Sequence, residues 1–398
     1  MIAIYIREKV QVMKRLLFVL LFLSMVLSAC GPSPTASPTP SPARTETATF
    51  TVTPTLLPTD TPTITPTLSS PPDGYGPANF PANVDPLTGL KVANPALLQR
   101  RPMLIKVSNM PRSVRPQWGL SLADIVFDYY TEEGSTRFAA IFYGDDASMV
   151  GPIRSGRFID GDLVEGYKAV FAFGSAYVAE MQRFNASDFA NRMVVEQPYT
   201  PLKRYDPNGL DYLVVNTADL SAYATKRGLN QEQNLNNMFF NLTVPVGGLP
   251  GTQVYVHYSA ATYNRWDYDQ VSGKYMRFSD NADVTEVGQT EQFVALTDRL
   301  TNQPVGFDNV VVLYANHELY SPGIYDILLS GSGDAYAFRD GQAYKVQWHR
   351  NTTDVVSLTN PNGSPFAFKP GTTCFEVVGL SSTVAQTGQS WRFTHQMP

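Results

Sequence analysis

Four arginines are the side chains best placed to do chemistry. Arg137, Arg154 and Arg157 lie within Glu132–Asp160, EEGSTRFAAIFYGDDASMVGPIRSGRFID, and Arg115 precedes them in MPRSVRPQ. A guanidinium is always charged, and its planar fork matches carboxylate or phosphate oxygens. Arg154 and Arg157 stand three apart in a Gly- and Ser-bearing loop. The segment after them can open a helix whose first amides also favour an anion. With Arg115 and Arg137 joining from neighbouring loops, one reading is a pocket for a phosphate, pyrophosphate or uronate group. The other is an internal ion-pair network in which Glu132, Glu133, Asp160 or Asp162 hold the same arginines. The sequence leaves both open.

Other chemistries lack their residues. Cys374 sits alone in TTCFEVVG with no histidine near it in sequence, which reads as a buried thiol. Ser332 in GSG is not the G-x-S-x-G elbow of a serine hydrolase, and no Walker or dinucleotide fingerprint is present. His257, His317 and His349 are isolated and none has zinc-ligand spacing. No metal and no cofactor is therefore expected.

The elements that must position the arginines can be read from apolar patterning. MLIKVSN suits a buried strand, and Ile125–Tyr130 and Arg137–Tyr143 suit two more. A short helical turn is predicted at Gly119–Ala123, then a helix in FIDGDLVEGY, a strand in KAVFAFG and a helix in AYVAEMQRF capped at Gly174-Ser175. Asn216-Thr217 should cap ADLSAYATKR, closed by Gly228. Strands alternating with helices indicate a mixed α/β domain over about 85–240. From Val254 strands dominate, with Asp340-Gly341 the strongest hairpin signal and a turn at Pro370-Gly371. An antiparallel β-rich domain over 247–383 is expected, giving an α+β fold overall. Its aromatics, Tyr255, Tyr258, Tyr263, Trp266, Tyr268, Tyr275, Phe278 and Trp348, suit either sugar stacking or ordinary sheet packing.

The amino-terminal third carries an address. Met13–Cys30, MKRLLFVLLFLSMVLSAC, has a basic start and a short apolar run, too short for a membrane span of roughly 20 residues. Its Leu27-Ser28-Ala29-Cys30 ending resembles the bacterial lipobox. That resemblance implies cleavage of the signal peptide 1–29, lipidation of Cys30, and an extracytoplasmic protein held to the membrane by that lipid. Residues 30–80 form a Pro/Thr/Ser-rich linker, extended because proline excludes helix and interior strand. It is either an O-glycosylated stalk or an unmodified spacer. The formal net charge is −5, and losing residues 1–29, which carry +3, leaves −8. So acidic a chain is a poor nucleic-acid binder.

PLTGL, RPMLIKVSNMPRSVRPQWGLSLADIVFDYYTEEGSTRFAAIFYG and GPIRSGRFID together resemble the amino-terminal domain of the YerB-like bacterial lipoproteins, a two-domain family without an established biochemical activity. YNRWDYD, DNVVVL, LSGSGDAYAFRDG and the W-x-R at Trp348–Arg350 resemble its carboxy-terminal domain. A histidine expected in the family near DYLVVNT is missing here. The Arg-Ser-Gly-Arg loop is also slightly similar to the pyrophosphate-binding region of the LytR-CpsA-Psr ligases. In those enzymes aspartates hold a metal, and Asp124, Asp128, Asp145 or Asp146 would have to serve here. The expected function is a cell-envelope binding or assembly factor whose partner is a wall polymer or an envelope protein. The alternative is an enzyme acting on phosphate-linked wall polymers or their lipid carriers, with the arginines as a charge clamp. A solute-binding receptor is disfavoured, since two similar α/β lobes are not visible.

Overall fold

The structure, a computed structural model, describes residues 71, 73–206, 212–286 and 288–397. The signal segment 1–29, Cys30 and the linker up to Ser70 lie outside the described residues. The end of the expected linker is part of the fold, because Tyr75 forms an antiparallel bridge with Phe240.

Among the described residues two large sheets, a two-stranded ribbon and three α-helices form the fold. The first strands are β1 (Met103–Ser108), β2 (Ile125–Tyr130), β3 (Thr136–Phe142), β4 (Val170–Ala172) and β5 (Met193–Val194). The helices are α1 (Phe158–Gly166), α2 (Val178–Ala186) and α3 (Thr217–Lys226). Asn216 caps α3 by accepting from the amides of Ala218 and Asp219, and Gly228 follows it at φ 70°. At α2 the expected Ser175 cap is replaced. Tyr177 is the N-cap, and Glu180 accepts from its amide.

The later strands are β6 (Gln253–His257), β7 (Tyr263–Asp269), β8 (Lys274–Asp280), β9 (Asn309–Ser321), β10 (Gly331–Arg339), β11 (Gln342–Arg350), β12 (Thr373–Gly379), β13 (Thr383–Thr387) and β14 (Ser390–Thr394). Asp340 and Gly341, both at positive φ, join β10 to β11 as the hairpin signal predicts. The α+β class holds, and the regular elements of the carboxy-terminal segment are all strands among the described residues. The two segments are joined more closely than a chain of separate domains would be. The large sheet runs β11-β10-β9-β12-β2-β3-β1-β4-β5, so β12 lies between β9 and β2 and is parallel to both. The second sheet contains β8-β7-β6-β14-β13, and β14 is parallel to β6. The expectation of an antiparallel carboxy-terminal segment is thus met within its hairpins and not where distant strands meet.

Alternation along the strands decides which core each residue reaches. Leu104, Phe127, Tyr129, Ile141 and Phe375 pack on the face covered by α1 and α2. Ile105, Val126, Phe138, Val310 and Cys374 pack on the other face, against Val256 and Trp266 of the second sheet and Leu220 of α3. Lys106, Tyr129 and Arg137 therefore share the helix-covered face, and Asp128 and Glu376 face the second sheet.

The RPQWGL stretch is held by this long-range assembly. Asp298 accepts from the amides of Gly119 at 2.9 Å and Ser121 at 2.8 Å, from the Ser121 hydroxyl at 2.8 Å and from the Leu300 amide at 2.8 Å. Gly119 has φ 75°, and a Cβ there would lie 2.4 Å from the Met149 carbonyl oxygen. Asp298→Ala leaves the buried Gly119 amide and the half-buried Ser121 and Leu300 donors without their acceptor. It is expected to destabilise the fold by about 2–4 kcal/mol, read as a lower urea midpoint at unchanged slope.

Candidate functional site

The Arg154–Phe158 loop is positioned by β1 and by two helix starts. The Arg154 amide bonds the Lys106 carbonyl of β1 at 2.9 Å, and the Gly174 amide bonds the Arg154 carbonyl at 2.8 Å. Arg157 is the N-cap of α1, where Asp160 accepts from its backbone amide at 2.6 Å. Arg157 also lies 5.0 Å from the ring of Tyr177, the N-cap of α2. The positive ends of two helix dipoles thus meet where the arginines gather.

Glu132 is shared by two of those arginines. It accepts from Arg137 Nη2 at 2.5 Å and from Arg157 Nε at 2.8 Å, with a further close contact from Arg157 Nη2. Burial pushes the Glu132 carboxyl up, but the Arg157 hydrogen bond and the charges of both arginines override it and hold its pKa below the usual range. Burial and the neighbouring Arg157 and Arg154 charges disfavour the Arg137 cation. Glu180 adds a longer contact to Arg157 at 3.7 Å. Glu133 does not join: the chain turns at Glu133 (φ 51°) and Gly134 (φ 74°), and Glu133 is exposed.

Arg115 belongs to a different cluster. It bonds Asp280 of β8 through Nη2 at 2.9 Å and Nη1 at 3.0 Å, and Arg112 bonds the same aspartate at 2.6 Å. The structure therefore brings Arg137, Arg154 and Arg157 together and gives Arg115 to the contact between β1's loop and the second sheet. Asp160 does join, through its helix cap and through a trio that patterning did not single out. Lys106 and Asp160 pair at 3.3 Å with side chains fully buried, and Tyr129 makes close hydrogen bonds to both. Burial lowers the Lys106 ammonium to about 7, helped by the Arg137 and Arg157 charges and opposed by Asp160. Lys106 falls on the helix-covered side of an apolar strand, and that lone cation in MLIKVSN was the available signal.

Three of the four aspartates weighed for a metal have other partners. Asp124 caps the amides of Tyr143 and Gly144, Asp128 pairs with Arg277, and Asp146 pairs with Arg100 at 2.8 Å. No group of three His, Cys, Asp or Glu side chains suited to a metal occurs among the described residues. Tyr258, Tyr263, Trp266, Tyr275 and Trp348 are buried and serve the core, whereas Tyr255, Tyr268 and Phe278 are half-buried. Cys374 is likewise buried, and burial pushes its thiol up.

His317 and His395 lie with ring centroids 5.1 Å apart. Burial lowers His317 to about 4 and, with the His317 charge, His395 to about 3, from 6.5. Below pH 6.5 the unfolded chain takes up protons that the folded chain refuses, so the pair's contribution to stability falls from pH 6.5 towards 3. His317→Phe is expected to flatten that acid limb, which urea midpoints at pH 7 and pH 4 would reveal.

Comparison with known proteins places these features in a family. Residues 87–230 match the "Protein of unknown function (DUF3048) N-terminal domain", and residues 254–374 match the corresponding C-terminal domain. The chain is 28% identical over 305 residues to "Putative lipoprotein YerB" of Bacillus subtilis, covering 74% of this chain and 85% of that protein. The crystal structure of the Bacillus subtilis YerB protein aligns with a TM-score of 0.63 at 25% identity, over 74% of this chain and 96% of that one. These relatives point to a lipoprotein. With both halves of the family matched in order, the chain belongs to the two-domain DUF3048 family of YerB-like proteins.

Proposed function

We propose that this protein is an extracytoplasmic lipoprotein, anchored through Cys30, that binds an anionic component of the cell envelope at the Arg154–Phe158 loop. The observation that carries the reading is the sharing of one carboxylate, Glu132, by Arg137 and Arg157 beside Arg154. Cations at helix N-termini oppose the helix dipoles, an arrangement that an anion relieves. Tyr177, 47% exposed, and the paired hydroxyls of Ser155 and Ser175 at 2.8 Å offer stacking and hydrogen bonds at the rim. Wall polymers and envelope proteins with phosphate or uronate groups fit these donors. The test is binding of the full chain to purified wall fractions and undecaprenyl-linked precursors, beside folded Arg154→Ala and Arg157→Ala. Loss of binding in either folded variant supports the reading, and unchanged binding in both refutes it.

A second reading, an enzyme acting on phosphate-linked wall polymers or their lipid carriers, is favoured by one observation. Lys106, near neutrality in pKa, sits with Tyr129 and Asp160 beneath the same arginines. In that reading the arginines bind the phosphate and Lys106 moves a proton through the Tyr129 hydroxyl. Turnover of undecaprenyl-linked precursors that disappears in folded Lys106→Met would establish it. Binding without turnover would leave the protein a binding factor.

A further inference from the structure

A run of cavities lies at the opposite end of α1 from the arginine loop. Three cavities, of about 440, 510 and 370 Å³, line up along Leu229–Asn237, LNQEQNLNN, which has no regular secondary structure. The first two share Lys168 and Thr353, the last two share Asn234 and Asn236, and Gln233 lines the first and third. Through these shared residues they adjoin as one groove, polar in its first two parts and lined in the third by Phe80, Val84 and Leu98 as well. Its floor is fixed in advance: the Arg101 amide bonds Asn230 Oδ1 at 2.8 Å, Asn237 Nδ2 bonds the Val355 carbonyl at 2.9 Å, and Leu235 and Met238 are buried.

One end of the groove is basic, and its cations are poorly neutralised. Arg101 donates to the carbonyls of Leu229 at 2.8 Å and Lys168 at 2.7 Å. Lys168 Nζ donates to the carbonyls of Asn234 at 2.9 Å and Thr353 at 2.6 Å. Among the described residues neither has a carboxylate at ion-pair distance. Arg192 lines the same cavity at 9% exposure, and its contacts are long: Ala169 O at 3.5 Å and Asp188 at 3.6 Å, with the Asp188 side chain 82% exposed. Burial lowers the Lys168 pKa, and the Arg101 and Arg192 charges lower it further against the pull of Asp354. Glu165 and Asp188 line this end too, leaving one positive charge there, while Asp354 and Glu232 line the other two cavities.

We propose that this groove binds an acidic glycan strand, its hydroxyls met by the amides and hydroxyls of Leu229–Asn237 and Thr352–Thr353 and its anionic group by Arg192, Arg101 and Lys168. Amide and hydroxyl side chains pair with sugar hydroxyls, and a chain of connected cavities suits a linear polymer better than a compact metabolite. Arg101 and Lys168, which have no carboxylate at ion-pair distance among the described residues, give this end, with Arg192, its excess of positive charge and select a carboxylate or phosphate substituent on that polymer. The site is independent of the arginine loop, since Arg157 and Lys168 flank the two ends of α1, about 14 Å of helix apart.

The test is calorimetric titration of the full chain with tetragalacturonate, a phosphomannan oligosaccharide and neutral maltotetraose. At least one acidic oligosaccharide should bind, about tenfold tighter than maltotetraose and more weakly as salt rises. The preferred acid identifies the anionic group as carboxylate or phosphate. Arg192→Gln should weaken that binding by about tenfold or more. Asn191→Asp, an exposed substitution in the cavity lining that leaves the core untouched, should do the same by placing a negative charge beside Arg192. The proposal is overturned if neither acid binds the folded parent, if maltotetraose binds equally well, or if Asn191→Asp binds as the parent does.

Discussion

Arg277→Met is expected to destabilise the fold by about 3–5 kcal/mol, enough to remove much of the stability of an ordinary domain. Arg277 pairs with Asp128 at 2.6 Å and Glu376 at 3.0 Å, and the three side chains are 2%, 0% and 0% exposed. They join β2 and β12 of the large sheet to β8 of the second. Glu376 also accepts from Tyr258 at 3.0 Å, Asn264 at 3.1 Å and Trp266 at 2.9 Å. Removing the guanidinium strands two carboxylates in the space between the sheets. Even in the parent, burial and the Asp128 charge push Glu376 up to about 7 from 4.5. Its folded pKa thus exceeds its unfolded one, so its contribution to stability falls as pH rises from 4.5 through 7. Without Arg277 the carboxyl rises further. The loss in the variant should be larger at pH 8 than at pH 5, and urea unfolding at the two pH values measures the difference.

Glu132→Gln should lower stability by about 2–4 kcal/mol at neutral pH, because Arg137 and Arg157 lose their shared counter-charge while their side chains are only 12% and 8% exposed. The sign of the pH dependence is opposite to that of Glu376. The folded Glu132 pKa lies below its unfolded value, so its stabilisation is present above about pH 4.5 and is lost as pH falls. Parent and variant should therefore converge towards acid. If they stay equally far apart at pH 3 and pH 7, the ion pair is not what Glu132 contributes.

Much of the local structure was legible. The apolar run Ile125–Tyr130 and the Asn216 cap are local signals and the structure keeps both. What patterning could not reach was partnership. Nothing in FEVVG says that β12 will lie between β9 and β2, because burial on both faces marks a central strand without naming its neighbours. Arg115 looked like a fourth member of the arginine loop, but its carboxylate is Asp280, 165 residues away. Glu132 and Glu133 were equal candidates to hold the arginines, and a positive-φ turn sends one inward and one out. The polar groove was missed for a different reason. An amide-rich stretch without periodicity reads as a loop, and only the fold shows that cavities line it.

The central claim, that the arginine loop recognises an anion, is tested most directly by calorimetric titration of the parent and of folded Glu132→Gln with inorganic pyrophosphate. The account predicts binding to both, tighter in Glu132→Gln, where the anion no longer competes with a carboxylate; each tenfold gain is about 1.4 kcal/mol. Binding by neither would contradict it and leave Arg137 and Arg157 as an internal ion-pair network around Glu132.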